Sequence, residues 1–229
     1  MLNSKLSMQS VCKSYEQHGI ISDVFDDVSV VFEQGCSYAI MGASGSGKST
    51  TIHLLAGIDT PTSGDVLFCG KTLSSFSADQ SALFFQINVS LVFQQAALFA
   101  ELTVLENVML KVILAGKVTQ DSFDHAENLL REVGLLDKAK AYPAMLSGGQ
   151  QQRVAILRAI FIVPQFLLVD EPTGNLDEKT SEQVIDLLIH CHEKYGMGLI
   201  MSTHNQKIAE RMQSILKVED KKIVTVKTI

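Results

Sequence analysis

The chain has 229 residues, 46% of them hydrophobic and 19% charged, and its formal net charge is −6. That is an ordinary globular balance, sufficient for one large domain or two small ones with a substantial core. It contains no long basic run, which argues against nonspecific nucleic-acid binding, since that needs clustered Lys and Arg.

In chain order, residues 1–10 are mixed and polar, unlike a signal peptide. Short strands are expected over 6–11, 27–32 and, after Gly35, 36–41. Partial alternation in Val28-Ser29-Val30-Val31-Phe32 suits a sheet with one covered face. A helix is expected over 48–56, stopped by Gly57. A turn at 61–64 leads to a strand over 65–69 ending at Gly70. A polar connection over 72–81 follows, then a strand over 89–93 closed by Gln94.

Residues 103–114 and 122–133 both read as helices. In the second, Phe123, Ala126, Leu129, Leu130 and Val133 form a stripe, with Thr119 as cap and Gly134 as stop. A further helix-like run covers 154–163. At ten residues, interrupted by Arg158, it is about half of what a bilayer crossing requires, so any membrane role is expected to come through a partner. An apolar strand over 166–170, a helix over 178–195 and a strand over 199–202 continue the alternation. A hairpin over 214–218 and 222–226 turns at Asp220-Lys221. The pattern is one α/β domain carrying a helical arm.

Cys12, Cys36, Cys69 and Cys191 are widely spaced, as for reduced cytosolic thiols. His190-Cys191-His192 resembles a metal motif. However, Val184, Leu187, Leu188 and Cys191 fall at helical spacing, which assigns Cys191 to an apolar face.

Three stretches carry chemistry. Gly42-Ala43-Ser44-Gly45-Ser46-Gly47-Lys48-Ser49 fits G-x-x-x-x-G-K-[ST] between an apolar segment and a helix-like run. Its glycines bring backbone N–H groups close to phosphate, and the helix dipole adds positive potential. Lys48 reaches the terminal phosphates and the Ser49 hydroxyl suits magnesium. Asp170, ending an apolar strand, is the expected magnesium residue, and Glu171 beside it the general base for an attacking water. The third stretch, Leu146-Ser147-Gly148-Gly149-Gln150-Gln151-Gln152-Arg153, places a second anion-binding turn before a helix. One nucleotide hardly needs two such elements from one chain. The second is expected to serve a neighbouring copy, two chains meeting head to tail around two ATP molecules.

With these motifs the sequence resembles the ATP-binding subunits of ABC transporters over essentially its whole length. The resemblance implies the ABC ATPase fold. That fold is a RecA-like P-loop NTPase core (about 1–94 and 164–229) with an antiparallel β subdomain, plus an inserted helical subdomain (about 95–163), in one domain spanning 1–229. It implies ATP and Mg2+ as cofactors and Glu171, His204 and Gln94 as catalytic residues. Tyr15 would stack on adenine, and residues 42–49 with Thr50 would hold the phosphates. Ser147, Gly148, Gly149, Gln150 and Asp177 would address the partner's nucleotide. Magnesium would be held through Ser49, Gln94 and Asp170.

The stretches 52–66, 102–108 and 171–177, with Ala209-Glu210-Arg211-Met212, resemble the branch of lipoprotein-releasing (LolD-type), macrolide-exporter (MacB-type) and cell-division (FtsE) ATPases. This implies a homodimer on the cytoplasmic face of the inner membrane, peripheral and without its own span, bound to integral permease subunits of the LolC/LolE kind, with no nucleic-acid partner. No membrane segment is fused by residue 229, which weighs against a MacB-type protein. The chain lacks the coiled-coil insertion or second cassette of soluble ABC proteins in DNA repair or translation. A recruitment scaffold like FtsE remains the alternative from another class. Phe84-Phe85, Lys111, Asn205 and Cys36 depart from the family pattern, with Phe84-Phe85 and Lys111 lying where membrane-subunit contact is expected.

Overall fold

A computed structural model describes residues 4–228. The chain opens as a long hairpin, β1 (Lys5–Gln17) and β2 (Ile20–Glu33), far longer than the short strands expected. Its two-residue tip, His18-Gly19, has positive φ at both positions, the backbone that matches the twist of paired strands. β3 (Ser37–Met41) leads into the glycine-rich loop and α1 (Lys48–Ala56), whose bounds match the expectation. β4 (Ser63–Phe68) and β5 (Lys71–Thr72) complete an antiparallel sheet in the order β2-β1-β4-β5.

The polar connection expected over 72–81 is partly helical. A 3-10 turn at Leu73–Ser75 precedes α2 (Ala78–Leu83) and a π-helical turn at Phe84–Asn88. Its Ser-rich composition hid a capping box. Ser77 Oγ accepts from the N–H of Gln80 while the Gln80 side chain accepts from the N–H of Ser77. β6 (Val89–Val92) follows.

The helix expected over 103–114 is two helices, α3 (Val104–Val108) and α4 (Leu110–Leu114), broken at Met109. Buried Asn107 explains the entry to this pair. Its Nδ2 donates to the carbonyls of Phe99, Leu102 and Thr103, and its Oδ1 accepts from the N–H of Phe99. α5 (Gln120–Glu132) is capped by Thr119 as expected. α6 (Gly148–Ile160) starts six residues before the apolar run that signalled it, because Ser147 and Gln150 form a capping box across polar sequence.

β7 (Phe166–Asp170), α7 (Glu178–Tyr195), β8 (Gly198–Ser202), α8 (Gln206–Ala209), β9 (Ser214–Glu219) and β10 (Lys222–Thr228) complete the chain. The second sheet runs β10-β9-β3-β8-β7-β6, parallel except for β10. Both faces of its centre are covered, hence the nearly continuous apolar run of β7. Leu167 and Val169 join a core with Ile156, Ile160, Val184 and Leu188 of α6 and α7. Phe166 and Leu168 join a core with Leu54 and Leu55 of α1 and with Leu6 and Phe32 of the antiparallel sheet. Parallel strands share one direction, so the chain leaves β3, β6, β7 and β8 at the same edge. Cys191 lies in the first core, and His192 Nδ1 is 2.6 Å from the Met197 carbonyl oxygen. Among the described residues, no helix is long and apolar enough to cross a membrane.

Two of the departures face inward. Phe84 is buried and packs edge-on against Phe68 and Phe76, so it belongs to the core and not to a partner surface; Phe85 is exposed. Lys111 donates to Ser90 Oγ and to the Gln86 carbonyl. Burial, with the charge of Arg158 nearby, pushes its ammonium down to about 8. Below that pH the lysine is charged in folded and unfolded chains alike, and its burial cost is fully present. Between about pH 8 and the ordinary lysine value only the unfolded chain keeps the proton, so folding gains as pH rises. In denaturant unfolding at pH 7 and pH 10, the native chain should gain about 2 kcal/mol relative to Lys111→Met. A difference between the two proteins that does not change with pH would contradict this.

Candidate functional site

The shared edge of the parallel strands gathers the predicted groups. Gly47 precedes α1 at φ 112°, a conformation L side chains rarely adopt, and a Cβ there would lie 2.6 Å from Val24 Cγ1. Lys48, itself buried, curls back over the loop. Its ammonium donates to the carbonyls of Gly42 (3.2 Å) and Ala43 (3.0 Å) and pairs with Glu171 Oε1 at 3.2 Å. His204, after β8, brings Nδ1 to 3.4 Å from Glu171 Oε2. The Ser49 hydroxyl donates to Asp170 Oδ1 at 3.0 Å.

An open cavity of about 420 Å³ is lined by Tyr15, Ser44, Gly45, Gly47, Lys48, Ser49, Thr50, Gln94 and Glu171, among others. Ser46 Oγ is buried in the loop without a hydrogen-bond partner among the described residues. Gln94 lies over the segment after β7, where a Cβ on Gly174 would come within 2.6 Å of its Nε2.

These residues fit a magnesium nucleotide. The loop leaves a polar hydroxyl unused, the ammonium sits at the loop's mouth, and Ser49 with Asp170 offers the hard oxygen donors that suit Mg2+.

Tyr15 is held on two sides. Its hydroxyl donates to Asp59 Oδ2 at 2.6 Å, and the Lys13 ammonium stands 4.5 Å from the ring centroid. Lys13 also pairs with Asp59 Oδ1 at 2.7 Å. Burial works against the Asp59 charge, yet the bonds from Lys13 and Tyr15 prevail and hold its carboxyl below the usual range. Burial and the Asp59 bond push the Tyr15 hydroxyl up.

Ser147, Gly148, Gly149, Gln150 and Asp177 do not line this cavity. They gather where α6 and α7 begin side by side. Asp177 caps α7, accepting from the Thr180 N–H at 3.0 Å and its hydroxyl at 2.6 Å, which keeps the carboxyl below its usual range. A Cβ on Gly149 would lie 2.1 Å from Thr180 Cγ2, and one on Gly148 would sit 3.5 Å from Leu176. Glycine at 149 thus lets the Ser147-Gly148-Gly149 turn, the signature element of the third stretch, close onto the start of α7. Asn205 accepts from the Lys207 N–H as the cap of α8, a role asparagine fills as well as aspartate.

Three residues stand out to which the motifs gave no role, Ser202, Gln152 and Arg158. Ser202, fully buried, contacts both Asp170 and Glu171. Glu171 itself has φ 42°, a left-handed conformation that costs a non-glycine residue roughly 1 to 3 kcal/mol. Gln152, buried on α6, donates to the Phe93 carbonyl, and Arg158 donates to the carbonyls of Ala96 and Ala97. The signal for Gln152 was a polar residue in register with Ile156 and Ile160 on an apolar stripe. For Ser202 it was a hydroxyl closing an apolar strand.

Residues 25–174 match the family model described as ABC transporter. The chain belongs to the ABC transporter family. It is an ATP-binding, ATP-hydrolysing cassette of that family, similar to ATP-binding subunits of the lipoprotein-releasing type. The lipoprotein-releasing system ATP-binding protein LolD of Geobacter metallireducens is 40% identical over 223 residues, covering 97% of this chain and 99% of the relative. LolD of Syntrophus aciditrophicus is 39% identical over 220 residues, covering 96% and 99%. A dimeric ATP-binding cassette in a post-hydrolysis state with ADP and Pi superposes with a TM-score of 0.87 at 32% identity, covering 98% of this chain and 100% of that one. A dimeric bacterial ABC transporter cassette gives the same values.

Proposed function

We propose that this ABC cassette powers the release of lipoproteins from the inner membrane, working as a head-to-tail homodimer on the cytoplasmic face of integral permease subunits of the LolC/LolE kind. The observation that carries the hydrolytic reading is the pairing of Glu171, one oxygen toward Lys48 and the other toward His204. That arrangement supports Glu171 as the base for water. As the water oxygen bonds to the γ-phosphorus and the bridging bond to ADP breaks, the water proton passes to the Glu171 carboxylate. Lys48 and His204 meet the charge on the γ-phosphate oxygens, and the backbone of 42–49 with Thr50 holds the rest of the phosphate chain. Ser49, Asp170 and Gln94 would hold magnesium, which when bound offsets phosphate charge. Tyr15, clamped by Asp59 and Lys13, offers a fixed face to the adenine.

The chain is organised in our reading as one nucleotide-binding domain. Residues of about 95–163 form a helical arm, and the rest form the α/β core with its antiparallel sheet. Ser147, Gly148, Gly149, Gln150 and Asp177 serve the nucleotide held by the other copy. The cargo reading rests on likeness to LolD across nearly the full length of both chains. Purification of the tagged chain from detergent-solubilised membranes should bring down integral permease subunits carrying a lipoprotein. Recovery of cell-division proteins and no lipoprotein would favour the scaffold instead.

A further inference from the structure

We propose that Ser202 is a positioning residue for hydrolysis, holding the two adjacent carboxyl-bearing residues in their working arrangement. The proposal rests on the reading of Asp170 and Glu171 given above and adds a residue to it.

β7 and β8 are parallel neighbours, and their register sets Ser202 directly beside Asp170. The Ser202 hydroxyl donates to Asp170 Oδ1 at 2.6 Å and accepts from the Glu171 N–H at 2.9 Å. A hydroxyl has one proton to give and lone pairs to receive, so both bonds coexist. The second bond falls on the residue whose backbone is strained. Glu171 stands at φ 42°, and its N–H direction is fixed by Ser202 while its two carboxylate oxygens face Lys48 and His204. The serine therefore anchors the turn that aims this side chain.

The first bond acts on Asp170, whose side chain has two donors among the described residues, Ser49 and Ser202. If Ser49 is drawn onto magnesium, Ser202 is the donor that still orients the carboxylate. A hydroxyl serving only its own strand would bond to backbone of that strand. Here both partners are in β7 or the residue after it. With an apolar side chain, the Glu171 N–H and one Asp170 lone pair would be buried without partners.

The test compares Ser202→Val, which suits a strand but has no hydroxyl, with Ser202→Thr and with Ser202→Ala as a smaller variant that cannot overpack the site. Steady-state hydrolysis is measured beside calorimetric binding of a non-hydrolysable ATP analogue with and without magnesium. Ser202→Val and Ser202→Ala should lose about 10- to 100-fold in kcat with little change in KM, and the affinity gained from magnesium should shrink by a similar order. Ser202→Thr should recover most of both. A kcat and a magnesium gain within about twofold of the native chain in both hydroxyl-free variants would overturn the proposal. Glu171→Gln run in parallel separates the two levels. If it too retains turnover, the reading of the site falls as a whole; if it is inactive while Ser202→Val is not, the role of Ser202 alone falls.

Discussion

Glu171→Gln is expected to lower steady-state ATP turnover by at least about a hundredfold while leaving MgATP binding intact. Glutamine keeps the length and planarity of the side chain, so it still fills the space between Lys48 and His204. What it loses is the ability to take a proton from water. It also frees Lys48 from a negative neighbour 3.2 Å away, which leaves more of the ammonium's charge for the nucleotide phosphates. Binding should therefore hold or tighten as chemistry stops, and the closed dimer should accumulate. Turnover assays with radiolabelled ATP, alongside size-exclusion chromatography in MgATP, read both consequences. Undiminished turnover would remove Glu171 from its assigned role.

The second large effect concerns geometry between copies. Lys48→Ala removes the ammonium at the loop. Gly149→Asp sets a side chain where even a Cβ would lie 2.1 Å from Thr180, whose hydroxyl is tied to Asp177. Each variant alone should be inactive, because in a head-to-tail dimer each spoils both sites. Mixed in equal amounts and allowed to exchange, they should recover activity. In the mixed dimer one site combines both defects, while the other combines an intact loop with an intact signature. With half the dimers mixed and one of two sites working, about a quarter of native turnover is expected if the sites act independently. No recovery despite demonstrated exchange would mean that each chain completes its own site, or that the two sites fire only together. Turnover by a cross-linked mixed dimer with one intact site would reject the second explanation.

The parallel strands, α1 and α7 were legible because their signals were local. The run 166–170 is apolar throughout since both faces are covered, and Gly57 ends α1 where expected. The phosphate loop, Asp170 and Glu171 were legible because chemistry demands those residue types at those spacings. Other features had no local signal. The break at Met109 depends on how Asn107 ties down the chain before α3. The starts of α2 and α6 are written in capping boxes, where polar side chains bond to backbone and leave no apolar period to detect. Phe84 and Lys111 lie where the family resemblance puts membrane-subunit contact, and nothing in sequence distinguishes an exposed aromatic or lysine from one turned inward. Their orientation is decided by distant residues, Phe68 and Phe76 for one and Ser90 for the other. Ser202 depended on strand register across a gap of 32 positions.

Gln152 and Arg158 hold the stretch after β6 by its carbonyl oxygens alone. Every residue type presents the same carbonyl, so the grip is indifferent to which side chains the stretch carries. The side chains of Phe93, whose own carbonyl is gripped, and of Phe99 beyond the gripped stretch are exposed and can be exchanged for other residues without loosening α6. The protein can thus rewrite the outward lettering of this segment to suit a changing neighbour while the mechanical joint behind it stays the same.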